Sequence, residues 1–295
     1  MIVNRILAAA AQKGKQRQRP NKLGAWNAGQ CVRKLWYGEH GYMPEPFDAR
    51  TMMVFDLGDR VEDAIEHWLT EARIENIRAN ESRDLVTLPE LGCRVRCDFF
   101  FQCDIEPIWG SENMVMVPGS EPPPQPGELL VLEVKSMSDF AFDRATRGYI
   151  DPAYRAQVEC YMRAYGTRHA LVLAYRKETS HVVEVLVSRD NAVWGACIES
   201  ARTARGGVLP PRPYRLEAAC SGAATGACVE GRTPKTGKPH KNCGGSGQEP
   251  GGPFLVNFPC GFCGVKTECW SDVGELEIAF RDGKPRWRVK ERKAA

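Results

Sequence analysis

The chain has 295 residues, which suits one α/β domain with insertions or two small domains. Hydrophobic residues make up 43% and charged residues 26%, so a chain without a hydrophobic core is excluded. The formal net charge of +3 is too small to indicate a partner by itself.

Positive charge is concentrated at the two ends of the chain. No acidic residue precedes Glu39, and the tail is also basic. Two basic ends could follow a phosphate backbone, or they could be solvated, frayed termini; charge alone leaves both interpretations open. The basic residues are Arg5, Lys13, Lys15, Arg17, Arg19, Lys22, Arg33 and Lys34 before Glu39, and Arg281, Lys284, Arg286, Arg288, Lys290, Arg292 and Lys293 in the tail.

The first residues do not resemble a signal peptide, because residues 1–11 are interrupted by Asn4 and Arg5 and lack a basic start. No apolar run in the sequence is long enough to span a bilayer. We therefore expect a cytoplasmic protein, in the host cytoplasm if the source is viral. Twelve cysteines in a reducing compartment indicate metal binding rather than disulfides.

In chain order, residues 1–25 are predicted to be a flexible basic segment. A short helix is expected after Cys31. A longer helix over residues 50–74 is predicted from the spacing of Val54, Leu57, Val61 and Ile65 at three or four residues.

Strands are predicted at residues 84–88 (weakly), 94–102, 129–135, 170–175 and 181–187, the last at or near a sheet edge. Residues 106–128 are rich in proline and glycine and are predicted to be a loop. Helices are expected over residues 151–165 and from a cap at Ser188 to residue 204. The pattern predicts an α/β fold, a mixed central sheet flanked by helices, as in a restriction-endonuclease-like core. We expect this core at residues 26–204, a Gly/Pro/Cys-rich insertion at 205–259, and a cluster-closing segment with a basic tail at 260–295.

Two charged residues emerge from the otherwise apolar run at 129–135. Glu133 and Lys135 are two positions apart, so on a strand they share a face. A divalent ion such as Mg²⁺ or Mn²⁺, held by Asp98 and Glu133, would explain this arrangement, with Lys135 stabilising charge on the phosphate and Glu62 completing the ligands. A plain Glu133–Lys135 ion pair remains the alternative.

Gln157 and Tyr161 are four residues apart on the second predicted helix and therefore share one face. Both side chains can hydrogen-bond a phosphate or a base. An incidental polar stripe would give the same spacing.

Cys260, Cys263 and Cys269 have the spacing C-x2-C-x5-C, in which a turn brings two thiolates to one metal. Cys31 is the best candidate for a fourth ligand. Four thiolates suit either zinc or a [4Fe–4S] cluster, and spacing does not decide between them. The remaining cysteines outside the glycine-rich insertion are predicted to be small core residues: Cys93, Cys97, Cys103, Cys160 and Cys197.

A possible second zinc site lies in the glycine-rich insertion, which has little hydrophobic sequence and would need a metal to fold. Its candidate ligands are Cys220, Cys228, His240 and Cys243.

Together these motifs resemble the PD-(D/E)XK nuclease superfamily in its RecB-like branch, most closely the CRISPR-associated iron–sulfur exonucleases and their phage relatives. The resemblance covers residues 31–187 and 259–270. Gly58 to Glu62 resembles the helix motif G-x-x-x-H, with glutamate in place of histidine, and Cys97-Asp98 resembles the motif aspartate. Glu133-Val-Lys135 resembles E-x-K and Gln157 to Tyr161 resembles Q-x-x-x-Y. Cys31, Cys260, Cys263 and Cys269 resemble the ligands of a [4Fe–4S] cluster.

The resemblance implies a deoxyribonuclease that uses Mg²⁺ or Mn²⁺, often an exonuclease acting on single strands or DNA ends. It also favours iron–sulfur over zinc. Such an enzyme would act in phage recombination, DNA processing or CRISPR spacer acquisition. Its possible partners are recombination proteins or CRISPR adaptation proteins. The alternative is a non-catalytic, zinc-containing nucleic-acid-binding protein.

Overall fold

The structure is a computed structural model that describes residues 2–18, 20–74, 85–103, 113–119, 124–213, 217–218, 238, 254–255, 263–272, 275–281 and 284–290. The helices are α1 Ile2–Gln16, α2 Val32–Glu39, α3 Ala49–Glu71, α4 Asp139–Ala145, α5 Pro152–Tyr165, α6 Asn191–Arg205 and α7 Lys266–Trp270. The strands are β1 Val86–Leu88, β2 Cys93–Val95, β3 Phe99–Gln102, β4 Met114–Met116, β5 Leu129–Met137, β6 His169–Arg176, β7 Val182–Ser188, β8 Glu217–Ala218, β9 Phe254–Leu255, β10 Glu275–Arg281 and β11 Lys284–Lys290.

The chain divides into two units. The first contains Met1–Gly41 and Pro46–Val208, and the second contains Tyr42–Glu45 and Leu209–Ala295. No helix among the described residues is long and apolar enough to cross a membrane.

A five-stranded mixed sheet with the order β3-β5-β6-β7-β4 forms the centre of the first unit. Strand β5 runs parallel to β6 and antiparallel to β3, and β4 runs parallel to β7. Strand β5 lies between β3 and β6, as its near-continuous apolar sequence predicted: β6 pairs with residues 130–137 and β3 with residues 129–132.

Helices cover both faces of this sheet. On one face, Val61 and Ile65 of α3 pack with Leu132 and its neighbours on the same side of β5. On the other, Val158 of α5 and Ala201 of α6 belong to the core cluster that contains Val131 and Val172. The alternation of β5 residues between two clusters follows from the two-residue period of a strand. The predicted mixed sheet with flanking helices is confirmed.

The predicted strand at residues 94–102 is wrong as a single element. Strand β2 pairs with β1 in a separate two-stranded sheet, and β3 joins the main sheet. Asp98 lies in the break between them, where its Oδ2 accepts a hydrogen bond from the main-chain N–H of Val134 at 2.9 Å. The Asp98 side chain thus bonds a main-chain N–H of β5 just before β3 begins. The alternation of residue types along the sequence does not predict this contact.

Residues 106–128 are not entirely loop, because β4 lies within them and pairs with β7 at the sheet edge. This places β7 one strand in from the edge.

Helix α6 begins later than predicted, since its N-cap is Asp190, whose carboxylate accepts from the main-chain N–H of Ala192 at 2.8 Å. The parallel pairing of the three-residue strand β4 with β7 likewise could not be predicted, because it has no local sequence signal.

The prediction of a flexible N-terminus is wrong for residues 2–16, which form α1. Lys13 Nζ donates to Asp56 Oδ1 of α3 at 2.7 Å, and Gly14 is buried. A Cβ atom on Gly14 would lie 2.1 Å from the main-chain oxygen of Phe47. The absence of a side chain therefore allows the close approach that docks α1.

The second unit contains a four-stranded sheet with the order β10-β11-β9-β8. Around α7, Glu45 binds both Lys266 and Thr267, and its main-chain N–H donates to the oxygen of Gly264 at 2.6 Å. Arg212 binds the main-chain oxygen of Cys269 through two nitrogens, at 2.9 and 2.6 Å. These contacts anchor the segment that carries the last two candidate cluster cysteines.

Candidate active site

Strand β5 presents Glu133 and Lys135 on the face that α5 covers. The Glu133 side chain is 2% exposed and that of Lys135 is 19% exposed, and the two form an ion pair. Two charges within a buried strand are costly unless they are paired or bind a ligand. The predicted shared face is therefore observed.

Helix α5 supplies the next contacts. Gln157 Nε2 lies 2.7 Å from Glu133 Oε1 and 2.8 Å from the Tyr161 hydroxyl. Pro152 in the first turn, and an N-cap at Asp151 that accepts from the Ala153 N–H at 2.8 Å, fix where this helix begins. Gln157 and Tyr161 therefore hold one oxygen of Glu133 in place rather than standing free for a ligand.

Sequence reasoning missed Tyr154, whose ring lies 5.0 Å from Lys135 Nζ. Contact with an aromatic face favours the charged form of an ammonium group. The signal was present, because Tyr154 is three residues before Gln157 and so lies on the same side of α5.

Asp98 brings a second carboxylate to Glu133. The pKa of Glu133 is raised to about 8, first by burial and then by the Asp98 charge, while Lys135 acts in the opposite direction. Burial lowers the pKa of Lys135, but the charge and hydrogen bond of Glu133, together with the charge of Asp98, outweigh it, so the pKa lies above its ordinary value. Within the described part of the chain, the buried Oε2 of Glu133 has no hydrogen-bond partner.

Glu62 reaches the same region from α3. Its pKa is raised to about 7 by burial and by the charge of Asp98, with Lys135 opposing. It lines a cavity of about 220 Å³ together with Asp98. The other lining residues are Asp63, Glu66, Arg96, Cys97 and Phe99.

Arg96 and Glu66 were not predicted. Arg96 lies two residues before Asp98, and Glu66 one helical turn after Glu62, so spacing to the predicted residues was the available signal. Arg96 places a cation in a cavity otherwise lined by four acidic residues. An arginine there is suited to a phosphate group.

The arrangement fits a divalent cation. The pKa values of Glu133 and Glu62 are both raised, in part by the charge of Asp98, and a bound cation would offset this concentration of negative charge. Among the described residues, however, no three His, Cys, Asp or Glu side chains already form a metal-binding group. Glu62, Asp98 and Glu133 are therefore neighbours, not a preassembled set of three ligands.

Tyr161 is buried, and its pKa is raised well above the ordinary value by that burial and by the charge of Glu133. Its hydroxyl therefore keeps its proton at neutral pH and can donate a hydrogen bond.

The predicted cluster cysteines fall in both units. Cys31 is the N-cap residue of α2 in the first unit. In the second unit, Cys263 lies three residues before α7 and Cys269 lies within it. Cys260 lies outside the described residues, as do the predicted zinc ligands Cys220, Cys228, His240 and Cys243. Both metal assignments stay predictions. The five cysteines predicted for the core are buried, as expected: Cys93, Cys97, Cys103, Cys160 and Cys197.

Comparison with known proteins gave distant similarities only. No protein-family model and no curated protein matches the chain. An alkaline exonuclease from Laribacter hongkongensis is 13% identical, with a TM-score of 0.41, over 68% of this chain and 90% of that one. A phage-related exonuclease from Haemophilus somnus 129PT is 13% identical, with a TM-score of 0.31, over 50% and 67%. The protein SSO0001 is 11% identical, with a TM-score of 0.39, over 72% and 90%.

At these identities and TM-scores, the similarities assign neither a family nor an activity to this chain. What it can do follows from the site, which combines convergent carboxylates, an ammonium group and an arginine-containing cavity around strand β5 of a mixed sheet.

Proposed function

We propose that this protein is a metal-dependent deoxyribonuclease that hydrolyses phosphodiester bonds. The observation that carries the proposal is the buried Glu133. Lys135 and Gln157 contact its Oε1, its Oε2 has no hydrogen-bond partner among the described residues, and the Asp98 carboxylate is close enough to raise its pKa. An ordinary ion pair would need only Lys135. The second carboxylate disfavours the ionised form of Glu133, and a bound cation would reverse this effect.

Each residue then has a definable part. Asp98 and Glu133 would hold Mg²⁺ or Mn²⁺, with Glu62 close enough to contribute. Such an ion, when bound, lowers the pKa of a bound water and offsets phosphate charge. Lys135 keeps its proton and stabilises developing negative charge on the phosphate. Gln157 orients Glu133, and Arg96 offers a cation for a neighbouring phosphate.

Finer features of this proposal come from the sequence resemblance. They are exonucleolytic cutting with a preference for single strands, and action in phage recombination, DNA processing or spacer acquisition. Recombination or CRISPR adaptation proteins would be the partners.

The nuclease assignment is tested with labelled single- and double-stranded DNA in Mn²⁺ and in Mg²⁺. Cleavage should be lost in Glu133→Gln and Lys135→Ala. Glu184→Gln is the matched control, because Glu184 is a partly buried glutamate of the same sheet whose pKa is also raised by burial. DNA binding without cleavage in either ion would replace this proposal with a non-catalytic nucleic-acid-binding protein.

We further propose that Cys31, Cys260, Cys263 and Cys269 hold a [4Fe–4S] cluster. Cys263 and Cys269 are both partly buried on one segment, which Arg212 and Glu45 anchor, so this segment is held in place for two of the four thiolates. Thiolate ligands suit either iron–sulfur or zinc.

Iron and acid-labile sulfide should be measured on protein purified without air. Cys263→Ser should remove the colour and the iron, whereas Cys103→Ala should retain both. A colourless protein replete with zinc would exclude the iron–sulfur assignment. In protein that contains the iron–sulfur cluster, one zinc ion per chain would support the second site in residues 205–259.

A further inference from the structure

Helix α4 exposes aromatic side chains directly after the strand that carries the site. Phe140 is 73% exposed and Tyr149, four residues past the end of the helix, is 42% exposed. Phe142 and Ala145 cover the core on the opposite side of α4 and are buried. The core therefore does not need Phe140, which stands in solvent on the outer side.

Arg144 joins the two exposed rings. Its guanidinium carbon lies 3.4 Å from the ring centre of Tyr149 and 5.6 Å from that of Phe140. The main-chain N–H of Tyr149 donates to the oxygen of Arg144 at 3.0 Å, which fixes the turn that returns Tyr149 to the helix. Planar guanidinium and aromatic groups at such distances form a flat, polarisable surface.

The charge of this surface is positive. Arg176 pairs with Asp139 at 2.5 Å and with Asp143 at 3.5 Å, which neutralises the acids of α4. Arg144 has no ion pair within the part of the chain that the structure describes. Its charge is therefore available to an anion.

The surface also lies near the candidate active site. Five residues separate Phe140 from Lys135, so their Cα atoms are at most about 18 Å apart. A DNA strand with one phosphate at Lys135 could extend to Phe140 within a few nucleotides.

We propose that Phe140, Arg144 and Tyr149 form a stacking platform for the bases of single-stranded DNA next to the cleavage site. The proposal rests on the proposed function, since it takes DNA as the substrate, and it adds the residues that select single strands. Unpaired bases can stack on an aromatic side chain whatever their sequence, whereas the bases of a duplex are stacked on one another. The phosphates between them attract Arg144.

The test measures binding of a labelled single strand by fluorescence anisotropy. EDTA is present so that cleavage does not contribute. Phe140→Ala should weaken binding roughly 5- to 150-fold, the range for losing one stacked base. Binding of a duplex of the same length should be unchanged. Trp68→Ala is the matched control, because Trp68 is another aromatic residue, 65% exposed on α3.

An oligonucleotide with abasic sites separates stacking from charge. The wild-type protein should lose affinity for it, and Phe140→Ala should bind it as the wild-type protein does. Arg144→Gln should reduce the slope of log affinity against log salt by about 0.7, the value for one phosphate contact on a single strand.

Equal affinity of folded Phe140→Ala and wild-type protein for the single strand would overturn the proposal, as would failure of the wild-type protein to bind it. If Phe140→Ala weakened duplex binding as much as single-strand binding, the surface would not select single strands, and the proposal would also be overturned. A protein that binds as expected but never cleaves would keep the platform and refute the nuclease, so the two failures are distinguishable.

Discussion

At the scale of single residues, Glu133 is held in a state that costs stability. An unfolded chain ionises this carboxyl near its ordinary pKa of 4.5, but burial and the Asp98 charge raise the folded pKa to about 8. A carboxyl with a raised folded pKa stabilises the fold while it is protonated, and this contribution is lost as pH rises from about 4.5 through 8. The ionised Glu133 that could bind a cation therefore makes the folded protein less stable.

Glu133→Gln should therefore be more stable than the wild-type protein in EDTA at pH 9, by about 2–4 °C in melting temperature for each kcal/mol gained. The difference should shrink at pH 5, where the wild-type carboxyl keeps its proton. Added Mn²⁺ should stabilise only the wild-type protein. Thermal melts at the two pH values measure this, and a variant less stable than wild type at pH 9 in EDTA would contradict it.

Gln157 acts on the same carboxylate from α5. Since it donates to Glu133 Oε1 at 2.7 Å, Gln157→Ala should leave Glu133 less well oriented and weaken metal binding about 10- to 100-fold. A titration of activity with Mn²⁺ measures this. Tyr161→Phe should have a smaller effect, because it removes only a hydroxyl that contacts Gln157 at 2.8 Å. Equal metal affinity in Gln157→Ala and the wild-type protein would show that Gln157 has no such part.

At the scale of elements, docking of α1 depends on a glycine. A methyl group on Gly14 would lie 2.1 Å from the main-chain oxygen of Phe47, which cannot move as a flexible side chain could. The pairing of Lys13 with Asp56 is exposed and contributes little by itself. The close approach at Gly14 is the feature that a substitution would disturb most.

Gly14→Ala should release α1 from α3 and expose residues 2–16 to proteases. Gly195→Ala is the matched control: Gly195 lies within α6 with nothing within 4 Å of its added Cβ, so the change should stabilise the helix by up to about 1 kcal/mol. Limited proteolysis with mass spectrometry distinguishes the two variants. Equal resistance of Gly14→Ala and wild-type protein would show that α1 tolerates the change.

At the scale of the whole molecule, the proposed cluster would join residues of both units. Cys31 belongs to the first unit and Cys263 and Cys269 to the second, so their shared metal would close a loop of more than 200 residues. A covalent link over a loop this long is worth about 5 kcal/mol in the loop-entropy model. The cluster would then also stabilise the first unit, which contains the candidate active site.

Removal of the cluster, by Cys263→Ser or by a chelator, should speed amide hydrogen exchange in β5 and β6 as well as around α7. The reason is that global opening becomes easier when the long loop is no longer closed. Cys103→Ala is the control: it should keep its iron, and its amide exchange in β5 and β6 should stay as slow as in the wild-type protein. Faster exchange confined to the second unit would show that the cluster stabilises only its own surroundings.

Sequence alone determined the main elements, because they repeat short patterns: the apolar run of β5, the spacing of Val61 and Ile65 on α3, and the proline and glycine that bound α5. It also placed Glu133 with Lys135, and Gln157 with Tyr161, since strand and helix periods fix which neighbours share a face. Four of the six predicted site residues could thus be paired by local geometry.

The tertiary structure decided what crosses between elements. It brought Asp98 to β5 by ending one strand and starting another, and it placed Arg96 in the cavity with Glu62. It also paired β4 with a strand far along the chain and docked α1 through the missing side chain of Gly14. Such contacts join residues tens of positions apart. Local periodicity cannot encode them, because they depend on how the elements pack.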